Sequence, residues 1–102
     1  MSNSSTITDD LSTPGETLLK EFLEPFGMTQ HELATSIGVD RSKVSRIIRG
    51  QQAITADIAL RLSAVFGTSP QFWLRLQEGY DLARARETTE IDGIEPVAIS
   101  TR

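Results

Sequence analysis

Cysteine is absent from this chain of 102 residues. The chain therefore has no disulfide framework and no thiolate that could bind a metal or act as a nucleophile, and a reducing compartment suits it. Long apolar runs are absent as well, because charges interrupt the apolar pattern every few positions. No run approaches the roughly 20 residues that cross a bilayer. We therefore expect a cytoplasmic protein with no membrane partner.

Basic residues are missing from the start of the chain, which is rich in Ser and Thr and carries Asp9 and Asp10. Because a secretory signal needs a basic region followed by an apolar one, we expect no export. The large apolar residues here are Ile7 and Leu11, too few to offset the entropy of ordering the segment. We predict a flexible N-terminal tail over residues 1–12.

Positive charge is in deficit, since 10 Lys and Arg face 14 Asp and Glu and the net charge is −4. An even deficit would argue against a nucleic-acid partner, because phosphate binding rests on Lys and Arg that displace counterions. The deficit is not even. Residues 40–61 hold five basic and two acidic side chains, whereas acidic residues collect in residues 9–24 and 87–95.

Helical spacing of apolar residues, with a capping residue before each pattern and a glycine after most of them, predicts five helices. The predicted N-caps are Thr13, Thr29, Asp40, Thr55 and Ser69, and the predicted stops are Gly27, Gly38, Gly50 and Gly67. The last helix is expected to run to about Arg86. Pro25 is awkward in the last turn of the first helix, because a proline ring clashes with the preceding turn.

Residues 29–50 are the informative stretch, with a capped helix, a Gly-Val turn and a second capped helix. This spacing matches a helix-turn-helix, in which two helices at roughly 90–120° are joined by a short turn. On the second helix Val44, Ile47 and Ile48 form an apolar face opposite the basic residues. A plain helical hairpin with solvated arginines is the alternative, but the complete set of caps, apolar positions and basic face favours the helix-turn-helix.

A helix-turn-helix reads DNA when the core holds the apolar face of its second helix and polar side chains at the amino end enter the major groove. Arginines on this face can donate two hydrogen bonds to guanine, and serines adapt to several bases. The predicted base-reading residues are Arg41, Ser42, Ser45 and Arg46. The predicted phosphate contacts are Thr29 and Gln30 at a helix amino end, together with Lys43, Arg49, Gln51 and Gln52.

A two-fold partner is expected, because one recognition helix reads only a few base pairs. Aromatic residues of the fifth helix could mark a binding groove, but at helical spacing they are more typical of core or dimer contacts. Ile94, Val97 and Ile99 can form a short strand, which Pro96 restricts to an edge. The predicted homodimer interface comprises Phe72, Trp73, Leu76, Tyr80, Ile94 and Val97.

Catalytic constellations are missing from the sequence. His31 is the only histidine and has no cysteine or carboxylate pair near it, which makes it a poor metal site. It belongs to no triad or nucleophile-elbow pattern. The glycines are spaced as helix stops and not as a phosphate-binding loop. We therefore expect no metal, no cofactor and no enzymatic activity.

Several short segments of residues 13–86 are similar to one known family. They are Pro14-Gly15-Glu16 with Leu18 and Leu19, Met28-Thr29-Gln30, Glu32-Leu33-Ala34, Ile37-Gly38-Val39, residues 41–50, Ile54-Thr55-Ala56-Asp57, Ala59-Leu60-Arg61-Leu62, Gly67-Thr68-Ser69-Pro70 and Phe72-Trp73-Leu74. In these segments the chain resembles the HigA-type antitoxins, a branch of the phage-repressor-like (XRE) helix-turn-helix proteins. The resemblance implies an all-α, five-helix helix-turn-helix domain over residues 13–86. From the residues themselves we expect an extension over residues 87–102, in which the short edge strand can serve dimerisation.

The resemblance also implies a dimer that binds double-stranded operator DNA, represses its own operon and neutralises a HigB-type toxin, a small ribonuclease that cuts messenger RNA. Two alternatives stay open, a stand-alone transcriptional regulator without a toxin and a protein-interaction module. The module would leave the arginine face without a purpose. A basic toxin could contact the N-terminal tail, the acidic first helix with Glu16, Glu21 and Glu24, or the acidic C-terminal end, since each complements its charge.

Overall fold

The computed structural model describes residues 12–98, and these form five helices and no strand. Helix α1 covers residues 14–26, and it is followed by α2 (Gln30–Ile37), α3 (Arg41–Ile48), α4 (Ala56–Phe66) and α5 (Pro70–Thr88). The predicted all-α fold with five helices is confirmed. The last helix continues past the predicted end at Arg86 to Thr88.

Side-chain caps start most of these helices where the sequence predicts them. Thr13 and Thr29 form complete capping boxes. In each, the threonine hydroxyl accepts from the backbone amide of the glutamate three residues later, and the carboxylate of that glutamate accepts from the threonine amide. Asp40 holds the N-cap position of α3, but its carboxylate makes no capping hydrogen bond. The backbone carbonyl of Asp40 instead accepts from the Lys43 amide at 3.0 Å, so that donor is already satisfied.

Helix α1 contains a widened, π-helical stretch at Leu18–Leu23, between α-helical turns at Pro14–Thr17 and Glu24–Phe26. The last turn includes Pro25, whose ring would collide with the carbonyl four residues earlier in a regular α-helix. A π-helical turn directly before the proline shifts that carbonyl and lets the helix continue. The helix then ends at Gly27, which has the left-handed φ of 65°.

The core is built around the indole of Trp73, which is fully buried. Its Nε1 donates to the hydroxyl of Thr68 at 2.7 Å, and the rings of Phe22 and Phe72 lie 4.8 and 4.9 Å from it. The other large buried side chains are Leu18, Leu23, Leu33, Ile37, Val44, Ile47, Ile54, Ile58 and Leu62. Because Trp73 has no exposed surface, its side chain cannot contact a second subunit, and the predicted dimer role of this residue is wrong.

Residues 89–98 follow α5 without forming the predicted edge strand. A turn closes at Ile94, whose amide donates to the carbonyl of Ile91 at 3.0 Å. A strand needs a neighbouring backbone to pair with, and no such neighbour exists within the described residues. Ile99 lies outside the described residues, as does the predicted tail apart from Ser12.

Helix α1 begins in direct contact with the end of α3, at Gly15. A Cβ atom added there would lie 2.7 Å from the Cα of Ile48 and would also collide with the carbonyl oxygen of Ile47. Both are backbone atoms, which cannot move aside without displacing α3. The first turn of α1 therefore packs on α3 only because Gly15 has no side chain.

We expect the substitution Gly15→Ala to lower the urea midpoint of unfolding. Overpacking of this kind costs about 1–3 kcal/mol, more than the gain of about 1 kcal/mol that alanine brings to a helix. The matched control is Gly79→Ala in α5, where an added Cβ meets nothing within 4 Å and the helix should gain stability. Circular dichroism in urea measures both, and a Gly15→Ala protein as stable as the control would contradict the close contact.

Candidate nucleic-acid interface

A three-residue turn, residues 38–40, joins α2 to α3. Gly38 has a φ of 75°, and its amide and that of Val39 both donate to the carbonyl of Ala34, at 2.9 and 3.0 Å. These bonds satisfy the end of α2, and the left-handed residue that makes them possible is most readily a glycine. The two helices thus form the helix-turn-helix that the sequence predicts.

Arg61 of α4 locks the end of α2 in place. Its Nη1 donates to the carbonyl of Ile37 at 2.7 Å, and its Nε pairs with Asp57 at 3.0 Å. The carbonyl would otherwise be one of the unsatisfied groups at a helix end. Sequence reasoning gave Arg61 no structural role, although its four-residue spacing from Asp57 is a usual signal of a helical ion pair.

Helix α3 has one buried and one outward face. Val44 and Ile47 are 1% and 2% exposed, and Ile48 is half-buried against the core. On the opposite face Arg41 and Ser42 are exposed, whereas Ser45 and Arg46 are half-buried. The structure therefore brings the four predicted base-reading residues together on one surface of α3.

Two of the arginines on this surface are held by neighbouring side chains. Arg46 donates through Nε to the Oε1 of Gln52 at 2.9 Å, and Arg49 donates to the hydroxyl of Ser45 one turn earlier. The second contact follows the i, i+4 spacing of a helix. The contact between Arg46 and Gln52 joins residues six apart across a turn, so helical periodicity does not predict it.

The predicted phosphate contacts lie on the amino end of α2, on α3 and on the turn after it. The hydroxyl oxygen of Thr29 accepts from the Glu32 amide at 3.0 Å, which leaves the hydroxyl hydrogen free to donate. Gln30 and Lys43 are half-buried, and Arg49 and Gln51 are exposed.

The outward face is positive although the protein is negative. Residues 41–49 carry four basic and no acidic side chains, in a chain whose net charge is −4. A local positive surface of this kind attracts a polyanion such as nucleic acid.

His31 is exposed on α2, and nowhere in residues 12–98 do three His, Asp or Glu side chains come together as a metal site would require.

Apolar side chains remain exposed along α5 and in the residues after it. Ile94 and Val97 are 69% and 82% exposed, and Leu82 and Ile91 are exposed as well and line one cleft. Phe72, Leu76 and Tyr80 of the predicted dimer set are half-buried on α5. The dimer set predicted from the sequence does not include Leu82 or Ile91. No helix formed by residues 12–98 is both long and apolar enough to cross a membrane.

The chain is similar to several known helix-turn-helix proteins. A helix-turn-helix family model matches residues 19–73. Virulence-associated protein I of Dichelobacter nodosus is 42% identical over 90 residues, which cover 87% of this chain and 83% of that protein. Antitoxin HigA-1 of Vibrio cholerae is 42% identical over 88 residues, which cover 84% of this chain and 83% of the relative.

A solved structure shares both the fold and much of the sequence. It is that of the Pseudomonas aeruginosa antitoxin HigA with the higBA promoter, with a TM-score of 0.82 and 41% sequence identity. The match covers 85% of this chain and 98% of that one. The chain therefore belongs to the phage-repressor-like helix-turn-helix family, in the branch that includes antitoxin HigA.

Proposed function

We propose that this protein is a sequence-specific DNA-binding repressor that binds its operator as a homodimer in the cytoplasm and serves as the antitoxin of a type II toxin–antitoxin pair. The observation that carries DNA binding is the outward face of α3, where Arg41, Ser42, Ser45 and Arg46 stand together above a buried apolar face. The similar Pseudomonas aeruginosa antitoxin, solved with promoter DNA, supports it.

In this proposal α3 enters the major groove, where the arrangement of donors and acceptors distinguishes every base pair. Arg41 and Arg46 bind guanine, and Ser42 and Ser45 contact neighbouring bases. The surrounding side chains bind phosphate and set the position of α3 on the duplex without reading sequence. These phosphate contacts are Thr29, Gln30, Lys43, Arg49 and Gln51.

The exposed apolar side chains after the recognition helix support a homodimer. Contiguous exposed apolar surface is uncommon on a monomer and marks an interaction site. A second copy that covers Ile94 and Val97, together with Phe72, Leu76 and Tyr80 of α5, would leave both α3 helices free. Two copies of α3 would then reach half-sites about one helical turn apart.

The antitoxin role rests on the family and on charge. A relative that covers most of the chain is named an antitoxin. In the described residues Glu16, Glu21 and Glu24 are exposed on α1, and such an acidic surface complements a basic partner such as a HigB-type ribonuclease. The DNA face is on α3 and this acidic surface is on α1, so the two proposed contacts use different helices.

The first expected outcome separates base reading from phosphate binding. Arg46→Ala should cost about 1–3 kcal/mol on the operator and relax the preference at one base pair, whereas Lys43→Ala should weaken all sequences alike and reduce the salt slope by about 1. Lys20→Ala, which removes an exposed lysine from α1, is the matched control. Fluorescence anisotropy on the upstream promoter fragment and on random duplex measures both effects. Equal losses on the two DNAs for Arg46→Ala would rule out its base-reading role.

If the protein is a homodimer through this surface, substitutions in the interface should halve its mass in solution. Replacing Ile94 and Val97 together by Asp should convert the dimer to a monomer, because a charge buried in an apolar interface without a partner is costly. Leu60→Asp places the same charge on an exposed leucine of α4 and should leave the dimer intact. Light scattering after size-exclusion chromatography gives the mass, and a dimeric double variant would place the interface elsewhere.

The antitoxin role is tested by co-expression with the product of the adjacent gene. We expect a small basic protein to copurify with this chain and the complex to bind the promoter fragment more weakly at higher salt. Promoter binding without a partner would instead identify a stand-alone regulator. Binding to neither would favour a protein-interaction module.

A further inference from the structure

The turn after α3 folds the chain back onto the recognition helix. Gly50 has a φ of 76°, its amide donates to Ile47, and the amide of Gln51 donates to the carbonyl of Arg46 at 2.8 Å. Paired bonds of this kind close a helix through a left-handed glycine. The turn places Gln52 beside Arg46, although the two residues are six positions apart.

The contact between these two side chains uses one particular edge of the guanidinium. Arg46 donates through Nε to the Oε1 of Gln52 at 2.9 Å, and both side chains are half-buried. The other four N–H groups of an arginine are on its two Nη atoms. Arginine binds guanine through two parallel hydrogen bonds to its O6 and N7 atoms. Because Nε of Arg46 already donates to Gln52, the two Nη atoms are the donors that remain for such a pair of bonds.

The backbone that carries Gln52 is itself fixed from the other side. The amide of Ile54 donates to the Oε1 of Gln77 at 2.8 Å, and Gln77 in turn donates to Asp81 on the same helix, α5. The side chain of Ile54 is 2% exposed. Because this segment is already anchored, the Gln52 side chain loses little further conformational freedom when it orients Arg46.

We propose that Gln52 is a positioning residue for base recognition, an inference that rests on the proposed DNA binding. It holds Arg46 with both Nη atoms directed at one guanine, and so sets how strictly the protein distinguishes its operator from other DNA. This role replaces the phosphate contact that the sequence predicts for Gln52. An arginine released from Gln52 keeps its attraction to phosphate, so DNA binding persists while discrimination falls.

A double-mutant cycle tests the proposal. Gln52→Leu removes the acceptor at similar size, and Gln52→Glu keeps an acceptor for Nε. Both are combined with intact Arg46 and with Arg46→Ala, and affinity is measured by anisotropy on the promoter fragment and on random duplex. We expect Gln52→Leu to lower the ratio of the two affinities about tenfold, within the range for one bidentate base contact, and to add little once Arg46 is alanine.

Gln52→Leu distinguishes positioning from a phosphate contact, because loss of a phosphate contact would leave the affinity ratio unchanged. Gln52→Glu then tests whether an acceptor for Nε is enough to keep the ratio. A carboxylate still orients Arg46 and should preserve the affinity ratio, while its charge weakens binding to both DNAs. The matched control, Gln51→Leu, changes an exposed neighbour and should weaken both DNAs alike with the ratio unchanged. If the losses from Gln52→Leu and Arg46→Ala are simply additive, or if Gln52→Glu loses the ratio as fully as Gln52→Leu, the positioning role is overturned.

Wild-type binding separates this inference from the function on which it rests. A wild-type protein that prefers the promoter fragment over random duplex establishes the repressor, and additive losses would then overturn the role of Gln52 alone. A wild-type protein with no preference would overturn the proposed function first, and the positioning role with it.

Discussion

The burial of two aliphatic side chains, Val44 and Ile47, is the constraint on which the recognition surface depends. Helix α3 has eight residues, and a helix of that length is not stable by itself in water. Its stability comes from tertiary packing, because full burial of such a side chain contributes about 1.5–3 kcal/mol. The same packing determines which residues of α3 face outward, so the arginine face is a consequence of the core and not an independent feature.

Contacts from three other helices refine the position of this motif. Gly15 of α1 touches the backbone at the end of α3, Arg61 of α4 binds the last carbonyl of α2, and Gln77 of α5 binds the loop that follows α3. Each contact involves a backbone atom of the motif, so it constrains the helices themselves and not only their side chains. Among the residues described, no buried polar side-chain atom lacks a hydrogen-bond partner, as expected of a well-determined native arrangement.

The helices and the outward face of α3 were predictable because they depend on local rules: capping residues, glycine stops and apolar spacing. The pairing of Arg46 with Gln52 and the clamp of Arg61 on Ile37 were not, since they join elements that only the tertiary fold brings together. Trp73 shows the limit of amphipathic patterns, which identify an apolar face without saying whether the core or a second subunit covers it. The expected strand does not form within residues 89–98 for a related reason, because pairing needs a partner backbone that a single chain's sequence does not reveal.

The segregation of charge has a kinetic consequence. Residues 41–49 carry four basic side chains, whereas the chain as a whole is negative. In the proposed DNA binding, a duplex therefore attracts this part of the molecule and repels its acidic segments, so the approaching protein is oriented before contact. Added salt shortens the range of both forces, so this orienting effect weakens as ionic strength rises.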